Sequence, residues 1–397
     1  MTQSRRICVV TGSRAEYGLL SGLLRRLKAD PAIELQVLAT AMHLNPDFGL
    51  TYREIENDGF IPIKVALPVD GGDHLQTAQA LGEGTSAIAE ALNRLKPQLV
   101  VVLGDRVELL AVSSACLLLR IPIAHIHGGE ITEGAVDDAI RHAVTKMAHL
   151  HFPAAESYRR RIVQMGEPED HVFATGALGI DNINDMQPIE QHRLKDELDF
   201  AWQHPLILAT YHPETATAVS SEAGCAALLT ALDAFPEAFI ALTKANADPG
   251  GRTINLMIED WVSRNGKRAK LFASLGAHRY LSLLRHADVM VGNSSSGIIE
   301  APALGVPAVN IGDRQTGRLK ATSIIDCATD GDAIADAIRL AMSTDFRNRA
   351  KEAIPPYGKG GAAEKIHAVL KSWSLEELSR KRFVDLQNWG PDHVASP

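Results

Sequence analysis

A chain of 397 residues is longer than one core usually serves and suits two domains of roughly 150–200 residues each. Its 46% hydrophobic and 22% charged residues describe an ordinary globular protein. A net charge of −8, only 5% aromatic residues and no long Lys/Arg run argue against a basic, base-stacking nucleic-acid groove, so any bound anion must be met by a local pocket.

Short β-branched runs alternate with longer helical patterns along the chain. Residues 7–11 read as a strand followed by a loop and a helix over 19–28. Strands at 35–40 and 99–103 follow, with a helix over 78–95 between them, and then 122–127 and the shorter 150–152 and 172–175. Continuous apolar strands separated by helices predict a parallel sheet covered on both faces, a doubly wound α/β domain. Residues 176–204 are polar, with Pro188 near the middle, and read as a domain connection with a surface helix. The pattern restarts at 206–210, 239–243, 270–272, 288–291 and 306–311, giving a second doubly wound domain.

The expected boundaries are an N-terminal domain at 1–180, a connection at 181–204, a C-terminal domain at 205–361 and a helical segment at 362–397 with the option of crossing back. In that last segment a helix over 362–373 leads to SLEEL, where Ser374 and Glu377 match a capping box. Cys8, Cys116, Cys225 and Cys327 are far apart, with no CxxC pair, and are expected as reduced, mostly buried thiols. The start MTQSRRICVV lacks the apolar stretch and cleavage site of a signal peptide, and no run of about eighteen apolar residues occurs, so the expectation is a cytoplasmic protein with no membrane partner.

Ligands of such sheets sit beyond the carboxyl ends of the strands, so the loops there are where chemistry is sought. In TGSRAEYG a glycine after the first strand precedes a helix whose start offers N–H groups to an anion, and Arg14 is either an anion clamp or a surface cap. The loop is not GxGxxG. In VVVLGDRVE, Asp105 and Arg106 are either functional or a structural bridge at the strand mouth. The densest cluster is AHIHGGEITEGAVDDAIRHAVTK. It holds His125 and His127, and no HExxH or comparable spacing marks a metal site. Gly128 and Gly129 allow a close backbone approach to a ligand, and Asp137 or Asp138 pairs with Arg141 along a helix. Glu130 and Glu133 crowd the same loop.

In the second half, ATYHPET puts His212 just after a strand, and LTKANADPGG offers Asn246 and Asp248. VGNSSSGIIE is the strongest phosphate signal. Asn293 to Gly297, with Ser294, Ser295 and Ser296, supply hydroxyls and N–H groups at a helix start, more than one N-cap requires, and Glu300 lies one turn on, placed to accept from a ribose. IGDRQTGR places Arg314 and Arg318 after a further strand.

GDR, HIHGGE, DDAIRHAVTK, HPET, GNSSSG and GDRQTGR, in this order, resemble the hydrolysing UDP-N-acetylglucosamine 2-epimerases, a family within the two-Rossmann-domain GT-B superfamily. The resemblance runs from TGSRAEYG to PYGKGG. It implies an interdomain cleft, a UDP-sugar ligand, no cofactor, and a homodimer or homotetramer. It also implies anti elimination of UDP to a 2-acetamidoglucal, then hydration to the free 2-epimer, in sialic-acid-type sugar biosynthesis. UDP-GlcNAc is one expected substrate and UDP-N,N′-diacetylbacillosamine, of the legionaminic acid type, the other; a GT-B glycosyltransferase is a further alternative. By resemblance Asp105 and Asp137 match the catalytic carboxylates, His212 the histidine near the diphosphate, and Arg14, Arg106, Asn246, Ser294, Ser295, Glu300 and Arg314 the UDP-binding positions. His127, Glu130 and Arg141 complete the catalytic candidates, Ser296 and Arg318 the UDP-binding ones. Animal bifunctional and some bacterial members carry Glu at the position of His127, which leaves proton transfer open among His127, Glu130 and Glu133. The non-hydrolysing epimerases fit less well, because their loop-one lysine position is Leu19 here.

Overall fold

A computed structural model describes residues 4–67, 74–132, 136–213, 220–245 and 250–385. Two six-stranded parallel sheets organise the chain. The first contains β1 (Arg5–Thr11), β2 (Ile33–Ala39), β3 (Pro62–Lys64), β4 (Leu99–Leu103), β5 (Ile123–Ile126) and β6 (Leu150–Phe152) in the order β3-β2-β1-β4-β5-β6. The second contains β7 (Leu206–Thr210), β8 (Phe239–Thr243), β9 (Ala269–Phe272), β10 (Val289–Gly292), β11 (Ala308–Ile311) and β12 (Ile324–Cys327) in the order β12-β11-β10-β7-β8-β9. Each sheet reverses its winding direction once, between β1 and β4 and between β7 and β10. Such a reversal leaves a crevice at the carboxyl ends of the two central strands.

Period-two alternation of apolar residues sets the layers. Ile7 and Val9 of β1 face one side, packed with Leu20, Leu24 and Leu27 of the helix Arg14–Ala29. Cys8 and Val10 face the other, with Ile88, Leu92, Leu109 and Val112. All five residues of β4 and of β7 are buried, as a strand covered on both faces requires. Cys8, Cys116 and Cys225 are buried, Cys327 is partly so, and all four are free thiols.

The chain crosses between the sheets twice. It leaves the first through Gly176 and the helices Leu178–Asp185 and Gln191–Leu198, and the helix Ala362–Ser372 then returns, placing Ala363, Ile366 and Leu370 in the first core. Asp181 accepts from the N–H groups of Ala362 (3.1 Å) and Ala363 (2.5 Å), capping the returning helix from the outgoing crossing. Farther on, Lys381 reaches the Ala148 carbonyl and the buried Glu167.

Three sequence expectations are corrected. Residues 172–175 do not form a strand: Val172 makes a single bridge to His151. β3 and β12 are edge strands that the sequence reading did not find. The Ser374–Glu377 box makes one bond, Glu377 N–H to Ser374 Oγ at 3.4 Å, and supports only the short turn Glu377–Ser379. No helix among the described residues is long and apolar enough to cross a membrane.

Candidate functional site

The loops after β1, β4 and β5 face those after β7, β10 and β11. After β1, Ser13 caps the helix Arg14–Ala29 in a full capping box: Ser13 Oγ accepts from Glu16 N–H, and Glu16 Oε2 accepts from the N–H groups of Ser13 (3.0 Å) and Gly12 (2.7 Å). The N–H groups of the loop just before the helix therefore serve Glu16. A Cβ on Gly12 would lie 2.0 Å from Glu108 Oε1, so only glycine lets that buried carboxylate pass. Burial, and then Glu108, push the Glu16 carboxyl up to about 7. Arg14 binds Glu54 at 2.7 Å and feels Arg279 across the cleft; burial lowers its pKa.

After β4, the sequence pair Asp105–Arg106 is split. Arg106 Nε turns to Glu108 Oε1 at 2.8 Å, whereas Asp105 binds Arg141. Arg141 is 1% exposed and acts as a hub: it holds Asp105, donates to the Glu130 carbonyl (3.2 Å) and lies 3.6 Å from Asp138. Asp138 also accepts from Thr132 N–H at 2.7 Å, fixing the start of the helix Asp137–Met147 to the loop after β5.

His125 in β5 and His127 just after it do different work. His125 Nε2–H donates to the Gly104 carbonyl at 2.7 Å, and its Nδ1 accepts from Thr145 at 3.1 Å. Burial pushes it down to about 3, so it is a neutral peg beneath Asp105. His127, with φ +63°, turns back so that Nδ1–H donates to Glu130 Oε1 at 2.9 Å. Its Nε2 is buried and has no partner among the described residues. Gly129, expected to admit a ligand, admits protein instead: a Cβ there would lie 2.5 Å from the Tyr158 carbonyl oxygen.

On the opposite wall, Asn293 is a staple rather than a phosphate donor. Its side chain accepts from His212 N–H (2.7 Å) and donates to His212 O (2.9 Å), and its carbonyl accepts from Arg314 (3.2 Å) and Gln315 (2.8 Å). Ser294 caps the helix Ser295–Ala303, and Ser296 Oγ accepts from Tyr280 at 2.8 Å. Ser294 and Ser295 remain partly exposed at the helix start. Glu300, raised by burial despite a bond from Ser296, senses His127 of the facing wall and Arg318 of its own. Arg318, read from sequence as an anion ligand, turns to Glu130 Oε2 at 3.3 Å. Asp137 stands on the first helical turn, close enough to act on Arg318. Asn246, Asp248 and Glu133 lie outside the described residues.

The sequence reading passed over Glu16, Glu54, Glu108, Tyr158 and Tyr357. Only Glu16 carried a local signal, standing three residues after Ser13.

A sequence profile described as UDP-N-acetylglucosamine 2-epimerase matches residues 25–371. The chain belongs to that family. The GDP/UDP-N,N′-diacetylbacillosamine 2-epimerase (hydrolyzing) of Campylobacter jejuni is 40% identical over 383 residues, covering 96% of this chain and 99% of the relative. The UDP-N,N′-diacetylbacillosamine 2-epimerase (hydrolyzing) of Legionella pneumophila is 34% identical, with 94% and 97% coverage. In fold, this member of the family resembles the crystal structure of UDP-GlcNAc 2-epimerase from Neisseria meningitidis bound to UDP-GlcNAc, with a TM-score of 0.77, 18% identity, and coverage of 92% of this chain and 99% of that one. The two sheets and their crevice are thus the GT-B-like arrangement of this family.

Proposed function

We propose that the protein is a hydrolysing 2-epimerase of UDP-linked 2-acetamido sugars, acting on UDP-N,N′-diacetylbacillosamine in preference to UDP-GlcNAc. The observation that carries the chemistry is His127: an imidazole oriented through Nδ1–H by Glu130, with a buried Nε2 between the two walls that has no partner among the described residues. The substrate preference is supported by the relatives that are 40% and 34% identical, both named for that sugar.

The C2 proton of the sugar is weakly acidic, so its removal must be coupled to departure of the diphosphate. His127 Nε2 takes the proton, the C2–H electron pair becomes the C1=C2 bond, and the C1–O bond breaks with its electrons leaving on UDP. The start of the helix Ser295–Ala303, with Ser294, Ser295, Arg14 and Arg314, receives that charge. Asp105, held by Arg141, and Asp137 supply the carboxylates for the second step, in which water delivers hydroxyl to C1 and a proton returns to C2 from the opposite face. The balance is UDP-sugar plus water to the free 2-epimer plus UDP. An aligned base contributes about 10²–10⁴-fold, and each preorganised donor to the leaving group about 10²–10³-fold.

The test is to incubate the protein with each nucleotide sugar in deuterated water and follow UDP and free sugar by NMR. The expected products are UDP and a free 2-epimer carrying deuterium at C2, with the higher kcat/KM for the diacetamido substrate. An epimer still attached to UDP, or free sugar without label, overturns the reaction. A reversed kcat/KM ratio makes UDP-GlcNAc, the sugar of the family's description, the substrate.

A further inference from the structure

The loop after β11 makes three separate contacts with the first domain. Arg318 bonds Glu130. Gly317 lies so close to Ile131 that a Cβ on it would come within 2.3 Å of Ile131 Cγ2. The Leu319 peptide is closed into a ring with two tyrosines: its N–H donates to Tyr158 Oη (2.9 Å), the Tyr158 hydroxyl bonds Tyr357 Oη (3.0 Å), and Tyr357 donates back to the Leu319 carbonyl (3.0 Å). Arg318 is therefore fixed on both sides, with a side chain only 10% exposed.

We propose that Arg318 is a positioning residue that acts through Glu130 on His127, so that the proton-accepting nitrogen is set only when the two domains meet. The inference rests on the reading of His127 as the base. Glu130 is 2% exposed and uses both oxygens, Oε1 for His127 Nδ1–H and Oε2 for Arg318. Burial acts to raise this carboxyl, but Arg318 and His127 outweigh burial and hold it below the ordinary range. As a carboxylate, Glu130 only accepts, so the imidazole proton must sit on Nδ1 and the lone pair on Nε2. Removing the guanidinium leaves a buried carboxylate with one weak partner, and such a group takes up a proton. Its new O–H donates to His127 Nδ1, the ring proton moves to Nε2, and the nitrogen facing the substrate can no longer accept.

The discriminating experiment compares wild type, Arg318→Met, Arg318→Lys and Glu130→Gln at a pH near 8. It reads kcat, KM, the UDP dissociation constant by calorimetry, and the ring nitrogens of His127 by ¹⁵N NMR of histidine-labelled protein, assigned with His127→Gln. Expected for Arg318→Met is a kcat loss of about 10²-fold, with KM and UDP affinity within about threefold of wild type and the His127 proton shifted from Nδ1 to Nε2. Arg318→Lys restores part of both, since an ammonium still keeps Glu130 ionised; it also serves if the Met variant fails to fold. UDP affinity weakened more than about tenfold with an unchanged ¹⁵N spectrum would make Arg318 a UDP ligand and sink the proposal, as would an unchanged kcat. If wild type releases no UDP from any nucleotide sugar, the functional reading fails on its own, and the ¹⁵N spectra still decide whether Arg318 governs His127.

Discussion

Glu16 accepts two backbone N–H groups from the loop after β1 and faces a second buried carboxylate, Glu108, on the other side of Gly12. Two carboxylates cannot both ionise cheaply in such a place, and it is Glu16 whose carboxyl is pushed up to about 7, by burial first and Glu108 second. A group whose folded pKa lies above its ordinary value of 4.5 contributes fully below that value and loses its contribution as pH rises through about 7. The loss is about 3 kcal/mol. Glu16→Gln keeps an acceptor for the loop and cannot ionise. Its melting temperature is therefore expected to gain on wild type steadily between about pH 5 and pH 8. A difference that stays constant over that range would show that Glu16 is ionised throughout.

At the level of elements, the returning helix Ala362–Ser372 completes the first core from the far end of the sequence. Leu370 is fully buried among first-domain residues, and its carbonyl accepts from Arg5 at 2.6 Å. Leu370→Ala is expected to destabilise the protein by about 2–5 kcal/mol, read by denaturant unfolding, and the loss should appear in the transition of the first domain. An unchanged midpoint would mean that this helix only lies on the surface. The amphipathic period of that helix was legible, as were the central strands, because a strand buried on both faces must be apolar throughout. β3 and β12 were not: Pro62–Lys64 is too short to show a period, and Ile324–Cys327 is only half-buried at a sheet edge. Residues 172–175 have strand composition but pair only once, because strand identity needs a neighbour in register as well as suitable side chains. The site divides in the same way. Which loops matter could be read from their place after strands. Which partner each side chain takes could not: Arg106 chose Glu108 over Asp105, and Arg318 chose Glu130 over the cleft, through contacts formed only in three dimensions.

At the scale of the whole molecule, the outgoing and returning crossings run side by side, joined by the Ala177 N–H to Tyr357 carbonyl bond at 3.0 Å. Tyr357 thus stands at the hinge while its hydroxyl reaches the loop that closes on the first domain. Two bonds of the Tyr158–Tyr357–Leu319 ring, from Leu319 N–H to Tyr158 and between the two tyrosine hydroxyls, join parts that separate if the cleft opens. In an open form water satisfies the same groups, so Tyr357→Phe removes only the net worth of its bond to Tyr158, about 1 kcal/mol, and removes it from closure. That is about fivefold in the closing equilibrium. A substrate that touches both walls can restore closure with its own binding energy, so the cost should fall on KM, raised about fivefold, with kcat nearly unchanged. This is the reverse of the pattern expected for Arg318→Met, which leaves closure to Gly317 and the tyrosines but disturbs the nitrogen that does the chemistry. Steady-state kinetics of the two variants side by side separate closing the cleft from setting the base; a Tyr357→Phe enzyme with reduced kcat and unchanged KM would place the hydroxyl in the chemistry itself.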